Sequence, residues 1–185
     1  MTDVDEKFEG LLGERERFRP AASAAWRDIE EWLGLALPAD YKKLVDGYGD
    51  AILLGHLFVP HPEGADPLLT FMREERRDYY AAFEAVRGTS DVPDNVWGHA
   101  IPWAYHDWNG DLCLLFPPLS DQGLSVPSLD EEWMVAVAYR QCPEIQLFPG
   151  GVTAFLERIL GEGRLPRGWP SGREAWQSVE ATRLI

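Results

Sequence analysis

The sequence predicts an α+β fold, a mainly antiparallel sheet flanked by helices. Amphipathic segments of helical period come first, apolar runs of strand length follow, and one more helical segment comes after them. The strand-like runs are joined by short turns rather than by crossover helices, which implies antiparallel pairing. Of the 185 residues, 45% are hydrophobic and 12% aromatic, enough for a folded core. A chain of this length suggests one domain that buries roughly 70% of its unfolded surface.

Residues 1–20 are charged, with Phe8, Leu11 and Leu12 as a thin apolar stripe, and read as a loosely packed helical extension closed by Pro20. In residues 21–33, Ala22, Ala25, Trp26, Ile29, Trp32 and Leu33 repeat at helical spacing. Trp26 on that stripe reads as core rather than as a ligand platform. Gly34 ends the helix. Pro38 opens the next helix, where its missing N–H costs nothing, and Asp40 places a carboxylate in its first turn. Tyr41, Leu44, Val45 and Tyr48 form its apolar face, and Gly47 and Gly49 are expected to turn the chain through unusual backbone angles. Residues 52–59 read as one buried strand interrupted by His56. His56 and His61 read as hydrogen-bonded structural histidines, because their spacing fits no familiar metal site.

Pro60, Pro62 and Pro67 make a rigid loop before a long helix over residues 68–86. The mixed charge run at residues 73–78 reads as a solvated helix face with i,i+4 pairs. Residues 88–98 form a loop with Trp97 as its anchor. Residues 100–104 read as a strand in which Pro102 marks an edge or a bulge. Residues 107–111, with Asn109-Gly110, form a hairpin turn before a buried strand over 112–116. After a loop over 117–127 come strands at 133–139 and 145–148, then a helix with Val152, Phe155, Leu156, Ile159 and Leu160 on one face. Residues 161–170 read as an irregular linker, and 171–185 as a short helix around Trp176 and Val179. The domain reading is an N-terminal helical extension at 1–20, one domain at 21–160 and a C-terminal extension at 161–185.

The net charge is −14, and residues 91–148 carry nine acids against one base, Arg140. Such a chain repels nucleic acid and anionic membrane, both of which need clustered Lys and Arg. A basic protein partner would be attracted. On charge alone, solubility is the simpler account. No apolar run approaches the ~18 residues that a membrane-spanning helix needs. The acidic N-terminus does not read as a secretion signal. Cys113 and Cys142 read as reduced, mostly buried thiols in a cytoplasmic protein.

Catalytic patterns are missing. There is no G-x-S-x-G elbow, G-x-G-x-x-G or P-loop. Asp107, Asn109 and Asp111 alternate as in a calcium loop, but Leu112 and Pro118 stand where an EF-hand needs Gly and Glu. His106 beside Asp107 invites an acid–base reading, and a hydrogen bond at the rim is the plainer one.

Trp26, Ile29 and Glu30, then Gly34, Leu37-Pro38-x-Asp40-Tyr41-Lys42 and Tyr48-Gly49 resemble the opening signature of the SMI1/KNR4 family, the SUKH superfamily. Ile101-Pro102-Trp103-Ala104, Asn109-Gly110-Asp111 and Phe155-Leu156 resemble its central strand, turn and closing helix, so the likeness spans about residues 22–160. The resemblance implies an SMI1/KNR4-like fold and, since many bacterial members are immunity proteins, a non-catalytic protein that binds and neutralises a toxin domain. No metal or other cofactor is implied. Joined with the charge, it selects Asp91, Asp94, Asp107, Asp111, Asp130, Glu131 and Glu132 as the partner-binding face, with Trp108 as aromatic anchor. Two alternatives stand beside it: a regulatory scaffold without a toxin partner, as in the fungal branch, and a small hydrolase built on His106.

Overall fold

The computed structural model describes residues 4–14, 20–84, 98–120, 123–124, 132–142, 144–171 and 174–179. The helices are α1 (Val4–Leu12), α2 (Ser23–Leu33), α3 (Ala39–Tyr48), α4 (Leu68–Phe83) and α5 (Val152–Leu156). The last runs on with π-type hydrogen bonding over Glu157–Gly161. The strands are β1 (Ala51–Leu53), β2 (Leu57–Val59), β3 (Ile101–His106), β4 (Leu112–Phe116), β5 (Leu119–Ser120), β6 (Gly123–Leu124), β7 (Met134–Tyr139), β8 (Glu144–Pro149) and β9 (Trp176–Ser178). Seven strands form one antiparallel sheet in the order β8-β7-β4-β3-β2-β1-β9, and β5 and β6 pair separately. The class is α+β, as the run of short connections predicts.

Four expectations change. Residues 52–59 are a hairpin rather than one strand: Leu54 and Gly55 take positive φ (55° and 72°), and the His56 N–H closes the turn on the Leu53 carbonyl at 3.1 Å. Leu54 and His56 are as buried as the strands on either side, so the turn sits inside the core with Gly55 as its sequence mark. Gly49 has an extended φ of −71°, so its use is space: a Cβ there would stand 2.6 Å from the Val45 carbonyl oxygen. Gly47 lies inside α3, and the positive φ falls instead on Asp50 (54°). Cys142 is exposed, and only Cys113 is buried.

The fourth change concerns the ends of the chain. Phe8 and Leu12 of α1 are buried in the main core, and the Tyr48 hydroxyl donates to the Gly13 carbonyl at 2.7 Å. The C-terminal segment is not a helix around Trp176. It returns as β9 and pairs with β1, Ala51 opposite Ser178 and Leu53 opposite Trp176. Trp176 Nε1–H donates to the Tyr48 carbonyl at 2.9 Å, and Trp169 is buried in the core. The described parts of both extensions, residues 4–14, 161–171 and 174–179, thus join the same core and sheet.

Pro102 marks a bulge in an interior strand. β3 is paired on both sides, and its register against β4 slips between Pro102 and Ala104, leaving Trp103 as the extra residue. An inserted residue inverts the inside-outside alternation beyond it. Trp103 accordingly packs edge-on to Tyr41 of α3 and Phe155 of α5, at 5.9 and 6.1 Å. Tyr105, two residues on, packs against Phe71 of α4 on the other face. α3 and α5 thus cover one face at β3, and α4 covers the other.

Candidate functional site: an acidic aromatic cleft and its hairpin

The first turns of α4 lie against β2 and β3 and leave a cavity of about 220 Å³, lined by Phe58, Asp66, Pro67, Thr70, Phe71, Glu74, Glu75 and Tyr105. Its wall is aromatic. Phe71 and Tyr105 stack at 5.9 Å with ring planes 25° apart, and Phe58 stands edge-on to both, at 6.5 and 5.4 Å. Its rim is acidic: Asp66 and Glu74 are exposed and Glu75 is half-buried. Burial pushes the Glu75 carboxyl above its usual range; Arg140 opposes the shift, and Asp78 and Glu74 add to it. The Tyr105 hydroxyl is raised as well, first by burial, then by Asp107, Asp66 and Glu75.

The hairpin between β3 and β4 adjoins this cleft. The Tyr105 hydroxyl donates to Asp107 Oδ1 at 3.3 Å, which ties the cleft to the hairpin tip. The turn closes through Gly110 N–H to the His106 carbonyl and His106 N–H to the Asp111 carbonyl, both 2.8 Å. Gly110 sits at φ 74°, which a side chain would strain. Trp108 on the tip is 53% exposed, the one large apolar side chain among the described residues that stands mostly in solvent. Behind it lie two stacked imidazoles, His56 and His106, 4.2 Å apart and both buried. Trp169 packs on both rings, at 5.4 and 5.1 Å. The Trp108 N–H donates to His106 Nδ1 at 3.3 Å. Burial holds the His106 pKa below its usual value, with Asp111, a backbone hydrogen bond and Asp107 opposing.

The partner residues expected from sequence do not form one face. Asp107 and Trp108 are exposed side by side on the hairpin. Asp111 is 2% exposed and is internal structure: it accepts from the Arg140 N–H at 3.1 Å and from Trp169 Nε1–H at 3.2 Å. Glu132 is exposed, but it precedes β7, whose first residue Met134 pairs with Phe116 while Ala138 pairs with Leu112 beside the hairpin. That register puts Glu132 about 15–20 Å from the hairpin end, at roughly 3.3 Å per residue. Asp91, Asp94, Asp130 and Glu131, like Trp97, lie outside the described residues.

Sequence reasoning missed Asp66, Glu74, Glu75 and the three aromatic residues. Glu74 and Glu75 sit in the run taken for a solvated face. Of that run, Arg77 pairs with its neighbour Asp78 at 2.9 Å, and Arg76 donates to the Tyr80 hydroxyl and the Gly98 carbonyl. The usable signal was Tyr105 beside Asp107, with Pro102 ahead of both to announce a bulge.

His106, the candidate acid–base residue, is 1% exposed. Among the described residues, no group of three or more His, Cys, Asp or Glu is arranged to hold a metal ion. Nor is any helix among them long and apolar enough to cross a membrane. Comparison with protein-family models, curated proteins and solved structures finds no match.

Proposed function

We propose that this chain is a non-catalytic cytoplasmic binding protein, an immunity protein of SMI1/KNR4 type that neutralises a basic toxin domain by covering its active site. The observation that carries the reading is the pairing of an exposed tryptophan with a carboxylate rim at one end of the sheet. Trp108 offers an aromatic anchor beside Asp107, and Asp66, Glu74 and Glu75 line the cleft that Tyr105 joins to Asp107. Exposed aromatics beside acids suit a basic surface, where charge steers the encounter and the ring supplies buried area. The SMI1/KNR4 resemblance supplies the toxin as the kind of partner. Occlusion needs no bond made or broken by this chain.

The test is capture of a basic partner from lysate of the source cell on the immobilised protein, at low and at high salt. The double variant Asp107→Lys with Glu74→Lys is expected to lose the partner, and Glu132→Lys, at the far end of the sheet, to keep it. The captured protein's own toxic activity should fall when the wild-type chain is added. Capture that ignores both salt and the double reversal would remove the acidic face from the reading. Capture without loss of toxicity would favour the scaffold alternative.

A further inference from the structure

We propose that the cleft between α4 and β2–β3 is a receptor for a planar cation, the guanidinium of an arginine side chain on the partner's surface. The inference rests on the partner-binding reading and says which chemical group enters the site.

Three features select that group. The cavity of about 220 Å³ admits a side chain and is too small for a segment of secondary structure. Its wall includes Phe58, Phe71 and Tyr105, and aromatic rings attract a cation through their quadrupole. Asp66, Glu74 and Glu75 lie at its mouth, and no Lys or Arg is among the residues that line it. Burial first, then Asp78 and Glu74, raise the Glu75 carboxyl against the opposing charge of Arg140, and a positive charge entering the cleft would favour its ionised form.

Arginine fits better than the other cations. Guanidinium is flat and weakly hydrated, so it stacks on rings and still forks two N–H donors onto carboxylates. A lysine ammonium is a strongly hydrated point charge that loses more on entering an aromatic slot. A divalent metal wants a shell of six or more oxygens, and Phe58, Pro67 and Phe71 offer it none from their side chains.

The test needs no partner. The full chain is titrated with N-acetyl-arginine methylamide, and with its lysine and citrulline counterparts, while the ring resonances of Phe58, Phe71 and Tyr105 are followed by NMR. The arginine probe is expected to shift these rings saturably, with a dissociation constant on the order of millimolar for so small a ligand. Lysine should bind more weakly, and citrulline, which keeps the shape without the charge, should not saturate. Asp66→Asn and Glu74→Gln change exposed side chains, so the fold is retained, and each should weaken the arginine probe about two- to fivefold. Equal response to citrulline, or shifts spread over the surface without saturation, would overturn the receptor. That result would leave the capture experiment to decide the partner reading by itself. A saturable arginine site in a protein that captures no basic partner would uphold the receptor and sink the immunity reading.

Discussion

The carboxylate of Asp40 caps a helix that begins 112 residues further on: its Oδ2 accepts from both the N–H and the hydroxyl of Thr153, each at 3.0 Å. Its other oxygen accepts from the Tyr41 N–H at 2.8 Å, so one side chain serves the first turns of α3 and α5 together. The approach is close enough that a Cβ on Gly151 would stand 2.9 Å from Oδ2. Replacing Asp40 by Ala should therefore cost about 1–3 kcal/mol, a helix cap plus a donor pair left unsatisfied. Urea denaturation of Asp40→Ala and Asp40→Asn checks it, with Asn losing less because it keeps an acceptor. Equal stability of Asp40→Ala and wild type would show that the cap contributes nothing.

Trp169 is the bolt of the C-terminal segment. It packs on His56, His106 and Phe155 and donates to Asp111 Oδ2 at 3.2 Å. Trp169→Ala is expected to cost roughly 3–5 kcal/mol, and Trp169→Phe about 1–3, the second because the buried carboxylate loses its donor. Limited proteolysis should cut near residues 162–175 in Trp169→Ala well before it cuts wild type. A resistant Trp169→Ala segment would mean that β9 holds the tail without the bolt.

Stability should fall as pH drops through the titration range of His106. Burial holds its folded pKa below the unfolded value of about 6.5. The neutral form is favoured by folding, so its contribution is complete above that value and is lost as pH falls through the folded pKa. Protonation at Nδ1 would also remove the acceptor of the Trp108 N–H. Denaturant midpoints of wild type and His106→Gln, measured between about pH 7.5 and 5, should converge as the pH falls. The difference between the two proteins isolates the histidine from Glu75, whose raised pKa acts with the opposite sign. A pH-independent difference would assign the His106 contribution to packing alone.

Trp108→Ala should separate binding from folding. Its ring is 53% exposed and lies 5.7 and 6.1 Å from the His56 and His106 rings, so stability should change by less than about 1 kcal/mol. As an interface anchor it should cost about 2 kcal/mol or more in partner affinity, some thirtyfold. Capture and melting measured on the same preparation check both halves.

The helices were legible because their apolar positions recur at 3.6 residues. Trp26 with Ile29, and Tyr41 with Leu44, Val45 and Tyr48, lie on the buried faces that the spacing assigns. Gly34 takes φ 74° at the end of α2, as a left-handed cap does. The hairpin at residues 107–111 followed from Asn109-Gly110. By contrast, the β1–β2 turn of Leu54, Gly55 and His56 is missed although Gly55-His56 breaks the apolar run, because Leu54 and His56 are as buried as the strands beside them. β9 failed because a three-residue strand has too few residues to show a period, and the residues it pairs with on β1 lie some 125 positions away.

The sequence by itself determined the α+β class, most of the element order, the acidic charge and the exposed hairpin that bears Asp107 and Trp108. These are local properties, set by period, turn chemistry and composition. Only the tertiary structure decided that Asp111 turns inward to Trp169, that Glu132 sits at the far end of the sheet, and that Phe58, Phe71 and Tyr105 meet Asp66, Glu74 and Glu75 in one cleft. The reason is the bulge at Trp103. One extra residue inverts the alternation of β3, sends Tyr105 to the α4 face and His106 to the Trp169 face, and so chooses which acids have an aromatic partner.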